Sequence, residues 1–524
     1  MIADPRLAAA IAFISVICPL AYMTVRAPGS ASMSRPHWLT DGWVVAIGVS
    51  AAACIGVTIA PAPLMVLGII LGGALFAAIL AQPVVGAYAL LALTPLIVGI
   101  ERGRLFPLLR PNEVLLLLVI AALLMRRTWW WLAGAKYPRT SGGPITKPLI
   151  AAALASTITP LIWLVARDMP LSVDDLTHAM TLPKYAALFF VFRAVVRTTE
   201  QVRNCIIISV CVGALVGLIG AAQSLGLFGV SALLEPLYTP PFQDASSLSS
   251  GRGSSTIANA ISVGDVVTFN LLIVLAFVVQ GQISRRLGAV ATGVLLVGVA
   301  GTGQISAVIL LLVGLIALGA LTGTLRHLAR RMLPAGIAVV ILLIPVIEQR
   351  VSGFSEDFGE DGDGVAFLPP SWELRWTNLT DHFWPELFSG LNWLLGVRPF
   401  PRLEAPEGIK DFIFIESGYT FLLWTGGIPL FVAFIWFLRT ALRTTKTIGR
   451  SRIDEIGCLA AGTYASLVAV AVLMLLDPHH IMRGAADLLY PMLAMSLTAG
   501  AVAQAPQLPT TNRPPDNQAI GTPV

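Results

Sequence analysis

Charge is what this chain has little of. Only 12% of its 524 residues are Asp, Glu, Lys or Arg, against about 25% in a soluble domain. That leaves too little polar surface to face water and excludes an ordinary water-soluble globular protein. Cysteine is scarce too: Cys18, Cys54, Cys205, Cys211 and Cys458 all lie in or beside apolar stretches, form no CxxC and stand near no histidine cluster. They read as small apolar helix residues rather than zinc ligands or a disulfide scaffold. No Walker A loop, no GxGxxG after a strand and no soluble domain for ATP is present. No basic run is interleaved with aromatics, which excludes a nucleic-acid partner. The apolar runs are continuous rather than alternating, which excludes a β-barrel.

What is present is hydrophobic: 56% of residues are apolar, with a mean hydropathy of +0.80. A helix needs about 20 mostly apolar residues to cross the hydrocarbon core. Long candidates are Leu7–Val25, Gly42–Ala60, Ala62–Ala81, Val84–Ile100, Pro148–Ala166, Cys205–Gly229, Ile257–Gln280, Leu287–Thr302, Ile305–Thr322, Leu333–Val346, Gly418–Leu438, Ile456–Leu476 and Leu488–Val502; Glu113–Met125 and Lys184–Val196 are shorter. The expected fold is an all-α polytopic membrane protein with about 12–15 transmembrane helices. Leu7–Val25 follows Arg6 and imitates a signal peptide, but it outruns an h-region and reads as a first membrane helix.

Lysine and arginine near helix ends set the orientation. Met125–Lys147, Arg285–Arg286, the group Arg326, His327, Arg330 and Arg331, and Arg439–Arg452 are basic and are expected to be cytoplasmic loops. The loops between them, Arg167–Pro183, Val230–Thr256, Glu348–Ser417 and Pro478–Asp487, are then external. The net charge of +5 follows from this asymmetry. One external segment differs from the rest. Glu348–Asp411 carries twelve acids against five bases and four tryptophans, Trp372, Trp376, Trp384 and Trp393. It is too polar for the membrane and long enough for a short helix or two. The organisation is therefore a membrane domain over residues 1–503, an external insertion over 348–415, and a Pro-, Thr- and Asn-rich tail over 504–524 that reads as a disordered cytoplasmic end.

Candidate chemistry lies on the external side. Arg252, in SSGRGSSTIANAISVGD, runs against the usual charge bias; it is either a phosphate ligand or a solvated loop arginine. Arg350, Arg375, Arg398 and Arg402 in the long loop form either a cationic pocket for a diphosphate or surface ion pairs with neighbouring acids. Arg102, Arg104 and Arg110 are external on the same count. Glu416 opens ESGYTFLLWTGGIPL; it is placed to act as a base towards a sugar hydroxyl or to cap the helix. Tyr419 reads as a substrate contact or an interfacial anchor. Asp477, His479, His480 and Arg483 crowd into LLDPHHIMRGAADLLY. Adjacent side chains diverge, so His479, His480 and Arg483 point to a substrate pocket or a plain loop more than to a metal. Asp265 falls within an apolar run, where an acid needs a partner or water. GEDGDG at Gly359–Gly364 fits no EF-hand.

Several stretches together resemble the O-antigen ligase and O-antigen polymerase family. They are QPVVGAYALLALTPLIVGI with LLRPNEVLLLLVI, RGSSTIANAISVGDVVTFNLLI, VGVAGTGQISAVILLLVGLI, SWELRWTNLTDHFWPELFSGLNWLLGV and ESGYTFLLWTGGIPL. Arg252, Arg375 and Gly396 stand at matched positions, and Glu416 stands where an aspartate or histidine is usual. Gln304 and Ile305 depart from the usual serine and arginine. The resemblance implies a C-type glycosyltransferase-like fold in the inner (cytoplasmic) membrane of a bacterial cell. It implies transfer of a glycan from a polyprenyl diphosphate to an acceptor glycan or lipid, with no cofactor and no metal. Arg252 and Arg375 would receive leaving-group charge, and Glu416 would accept the hydroxyl proton. A transporter or flippase of lipid-linked precursors and a non-catalytic scaffold for envelope assembly are the rival readings.

Overall fold

In a computed structural model, the structure describes residues 63–132, 143–240, 248, 251–342, 344, 375–404 and 412–498. The first two expected membrane helices, the acidic Gly359–Gly364 run, Trp372, Arg350 and the tail lie outside them.

The described chain is almost entirely helical. Its helices are α1 (Pro63–Ala81), α2 (Val84–Ile97), α3 (Pro111–Leu132), α4 (Thr146–Ala166), α5 (Val173–Ala179), α6 (Thr181–Val195), α7 (Thr199–Ser224), α8 (Val230–Leu234), α9 (Ala260–Val279), α10 (Arg285–Gly301), α11 (Ile305–Thr322), α12 (Leu325–Leu342), α13 (Trp384–Leu387), α14 (Asn392–Leu395), α15 (Gly418–Ser451), α16 (Glu455–Leu473) and α17 (Ala485–Ser496). Among the described residues, α3, α4, α7, α9, α11, α15 and α16 are long and apolar enough to cross a membrane. Shorter apolar helices such as α2 stand beside them. This is the architecture of a multi-pass membrane protein. A single two-stranded antiparallel hairpin, β1 (Arg402–Glu404) with β2 (Phe412–Phe414), is described, with Leu403 paired to Ile413.

Helix starts follow local chemistry. Ser172 and Thr198 form capping boxes with Asp175 and Gln201. Asn259, Ser284, Ser417 and Asp454 each accept a backbone N–H of the first turn of α9, α10, α15 and α16. Several helices run past the boundaries expected from apolarity. Arg126 and Arg127 lie inside α3, Arg285 and Arg286 open α10, Arg326, His327 and Arg330 sit in α12, and Arg439, Arg443, Lys446 and Arg450 ride the last turns of α15. These basic groups are helix ends rather than loops. Arginine and lysine are good helix formers whose long stems cover apolar surface while the charge reaches out.

The core is organised round α9. Nearly every residue from Ala260 to Phe277 is buried, and α9 packs against α7, α10, α11 and α16. Small residues let the backbones close. A Cβ on Gly217 would stand 3.0 Å from the Cα of Gly298, and one on Gly462 would stand 2.9 Å from the Cα of Ile273. Polar groups inside find partners: Ser209 Oγ donates to Asn270 Oδ1 at 2.7 Å.

The part of the acidic segment that is described folds as a cap on α15. Leu379, Phe383, Leu387 and Val397 form a small core with Ile415, Phe421 and Trp424. Gly396, at φ 90°, crosses α15 where that helix breaks at Gly427, with φ 63° and ψ −159°. A Cβ on Gly427 would lie 2.1 Å from the carbonyl oxygen of Leu394, so only glycine permits this crossing.

Candidate functional site

The connections after α2, α4, α7, α14 and α16 are stitched together at one end of the bundle. Gly99 donates its N–H to Thr256 O at 3.2 Å, Thr239 N–H to Gly99 O at 3.1 Å, and Gly418 N–H to Met474 O at 2.7 Å. Of the sequence-derived candidates within the described residues, Arg375, Glu416 and Asp477 meet here.

Arg375 is the hub. Its Nε lies 3.2 Å from Glu416 Oε2, and its Nη1 donates to Asp477 Oδ2 at 3.1 Å. Three segments thereby converge: the start of the cap, the residue before the N-cap of α15, and the turn after α16. Burial raises the pKa of Asp477, opposed by Arg375 and then His479. The Glu416 side chain is 35% exposed, which leaves it reachable from solvent.

Arg252 belongs to the same neighbourhood. Its guanidinium has no hydrogen-bond or ion-pair partner among the described residues and is exposed. Crowding by neighbouring atoms, then the like charge of Arg375, lower its pKa from the ordinary value. Its backbone is held firmly. A Cβ on Gly253 would meet Gly301 O at 2.4 Å and Gly220 O at 2.5 Å, so the loop is wedged between α7 and α10. Gln223 of α7 donates to Leu248 O at 2.8 Å and Ser254 Oγ at 3.0 Å, and accepts from Ser255 N–H at 2.7 Å. Ser255 and Ala258 take positive φ of 49° and 56°, strained values for residues with a side chain. Two cations near each other with one half-buried carboxylate suit an anionic substrate.

Below Arg375, His479 Nδ1 lies 2.8 Å from Asp265 Oδ2, with both side chains essentially fully buried. Burial disfavours the imidazolium, but Asp265 and Asp477 outweigh it and raise the pKa of His479. His479 Nε2 and Asp265 Oδ1 have no hydrogen-bond partner among the described residues. The expected partner for the buried acid is thus found, and it is a histidine that the sequence reading assigned to substrate.

The other candidates are placed differently. Arg398 stands apart from the hub: Nε and Nη2 donate to Asp175 at 3.1 and 2.7 Å. Hydrogen bonds from Arg398 and Ser172 overcome the effect of burial and lower the pKa of Asp175. Arg402 is 3.9 Å from Asp174. Tyr419 donates its OH to Ala471 O at 2.7 Å, which ties α15 to α16. His480 diverges from His479 as expected and packs against Phe421 and Phe434, at ring separations of 5.8 and 4.7 Å. Burial pushes its pKa down to about 3, so it is neutral. Arg483 donates to Thr239 O at 3.0 Å and Ala258 O at 3.4 Å. Arg350 lies outside the described residues. Of the tryptophans, Trp376 and Trp393 are exposed, at 60% and 40%, and Trp384 reaches Thr420 Oγ1 at 3.4 Å.

Sequence reasoning did not single out Gln223, Asp175 or Lys184. A glutamine inside the apolar run of α7 and the Ser172-x-x-Asp175 capping pattern were signals for the first two. No protein-family model matches this chain, and no curated protein matches its sequence.

Proposed function

We propose that this protein transfers a glycan from a polyprenyl-diphosphate carrier to an acceptor hydroxyl at the outer face of the cytoplasmic membrane, as a polysaccharide polymerase or ligase. The observation that carries the reading is Arg375, bridging Glu416 and Asp477 beside Arg252, whose guanidinium has no partner among the described residues. In the reaction, the acceptor oxygen forms a bond to the anomeric carbon while the bond from that carbon to the diphosphate oxygen breaks. The electron pair leaves with the polyprenyl diphosphate, and its charge falls on the guanidinium groups of Arg252 and Arg375. The hydroxyl proton goes to Glu416. Exposed Trp376 and Trp393 offer flat apolar faces to pyranose rings.

The direct test is deletion in the native host with analysis of surface glycans and lipid-linked intermediates. Loss of polymer with accumulation of carrier-linked glycan is expected; unchanged glycans reject the proposal. A carrier of lipid-linked precursors is the second reading, favoured by the buried acid Asp265 of the central helix and its partner His479. It requires precursors to accumulate on the inner leaflet instead.

A further inference from the structure

A second cluster of cations surrounds the later part of the α16–α17 connection. Arg102 and Arg110 belong to the turn between α2 and α3, Lys184 to the first turn of α6, and Arg483 to the end of the connection. Glu113 accepts from Arg102 Nη2 and from the Arg110 backbone N–H, both at 3.0 Å. Asp487 lies 3.6 Å from Lys184 Nζ and accepts the Gly484 N–H at 2.9 Å. The Tyr185 OH donates to Ile481 O at 2.9 Å, fixing α6 to the connection. Four cations thus share two carboxylates.

The surplus is visible in the bonding. The Nε atoms of Arg102, Arg110 and Arg483 are all buried without a hydrogen-bond partner among the described residues. The guanidinium of Arg110 has no ion pair among the described residues, and Arg483 donates only to carbonyl oxygens. Burial, then the like charge of Arg110, pushes the pKa of Arg483 down to about 9; burial, then Arg102, lowers that of Arg110. Buried donors are nearly always satisfied, and three orphaned arginine donors in one cluster require an acceptor that brings charge. A phosphate monoester carries about −1.5 to −2 at neutral pH, which matches an excess of two positive charges, and arginine forks suit its oxygens.

We infer that Arg102, Arg110, Lys184 and Arg483 form a second anion site that takes a dianionic phosphate group, separate from the Arg252–Arg375 face. Its role as the holder of a phosphate-bearing acceptor rests on the glycan-transfer reading; its capacity to bind phosphate does not. The residues Asp477 to Asp487 serve both sites, with Asp477 turned to Arg375 and Arg483 to the second cluster, as joining two substrates requires.

The test uses the purified full-length protein in phosphatidylcholine nanodiscs, titrated with inorganic phosphate against potassium chloride of equal ionic strength. Phosphate is expected to raise the melting temperature saturably in the wild type and in Arg375→Gln. In Arg110→Gln the half-saturating concentration should rise at least tenfold. The Arg110 side chain bonds no other group among the described residues, so this variant is expected to fold; Lys184→Gln provides an independent second variant with the same expected direction. No saturable response in the wild type, or an unchanged half-saturation in both variants, overturns the site. Doping the nanodiscs with phosphatidic acid identifies the source. Competition with inorganic phosphate supports the site and assigns it to a lipid headgroup, while independence supports it and assigns it to a soluble phosphate-bearing group. Normal surface glycans after deletion would reject glycan transfer and leave the phosphate response standing, so the two failures are separable.

Discussion

Asp265 and His479 meet at 2.8 Å with neither side chain more than 1% exposed, although 214 positions separate them in the chain. This pair fixes the α16–α17 connection to the central helix directly beneath Arg375. Removing one partner of a buried ion pair costs about 3–5 kcal/mol, because the other charge is left uncompensated. Asp265→Ala should therefore lower the melting temperature of the detergent-solubilised protein strongly, whereas Ile261→Ala, at the one partly exposed position between Ala260 and Phe277, should not approach that loss.

The same pair carries a pH signature. The folded-state pKa of His479 is raised above its ordinary 6.5. The stabilisation is therefore complete below pH 6.5 and fades as pH climbs through the raised value. The melting-temperature gap between wild type and His479→Gln should shrink from neutral to alkaline pH. A gap that widens on that side contradicts the assignment.

Arg375 bonds two carboxylates through different nitrogens, and lysine has a single nitrogen to offer. Arg375→Lys and Glu416→Gln should each lower glycan transfer by about 100- to 1,000-fold, measured with lipid-linked donor and purified protein. Asp477→Asn should retain folding and reduce transfer less, because it orients Arg375 without touching substrate. Full activity in all three would reject the site while leaving the fold intact.

The bidentate Arg398–Asp175 pair pins the cap to α5, with the Asp175 side chain fully buried. Arg398→Ala leaves that carboxylate with Ser172 and the Phe400 N–H, at 3.4 Å. The expected loss is about 3 kcal/mol, and it is local. Hydrogen exchange should quicken at Asn392–Phe400 while α9 stays protected.

Gly253→Ala places a methyl group against two backbone oxygens, 2.4 and 2.5 Å away, neither of which can turn aside. It should cost folding yield and displace Arg252. Gly293→Ala in α10 meets nothing within 4 Å and should be neutral or stabilising by about 0.5–1 kcal/mol. Comparable melting temperatures for the two variants would contradict the wedge.

How much was legible beforehand differs by feature. The Ile305–Thr322 run became a helix with those same ends, since apolarity and backbone hydrogen bonding within one segment are local properties. Boundaries slipped where arginine and lysine continue a helix, as in α3, α12 and α15, because hydropathy ignores helix propensity. Arg252 was singled out from positive charge on the external side, Arg375 from its place in the long external loop and Glu416 from the junction of that loop with a helix, and Arg375 and Glu416 do meet. Arg398 was singled out by the same signal as Arg375, yet it pairs with Asp175, 223 positions away.

By itself, then, the sequence determined a helical chain with little charge to spend on water, a set of apolar segments, and an acidic, tryptophan-bearing insertion with cations nearby. Those follow from short-range physics: about 20 apolar residues span a bilayer, and a helix satisfies its own backbone there. Tertiary structure alone decided which charges are partnered. Arg375 takes Asp477 across 102 positions, His479 takes Asp265, and Arg110 is left with no carboxylate for its guanidinium among the described residues. Ion pairing depends on distances of a few ångströms set by packing between helices, and nothing in the order of residues along the chain records them.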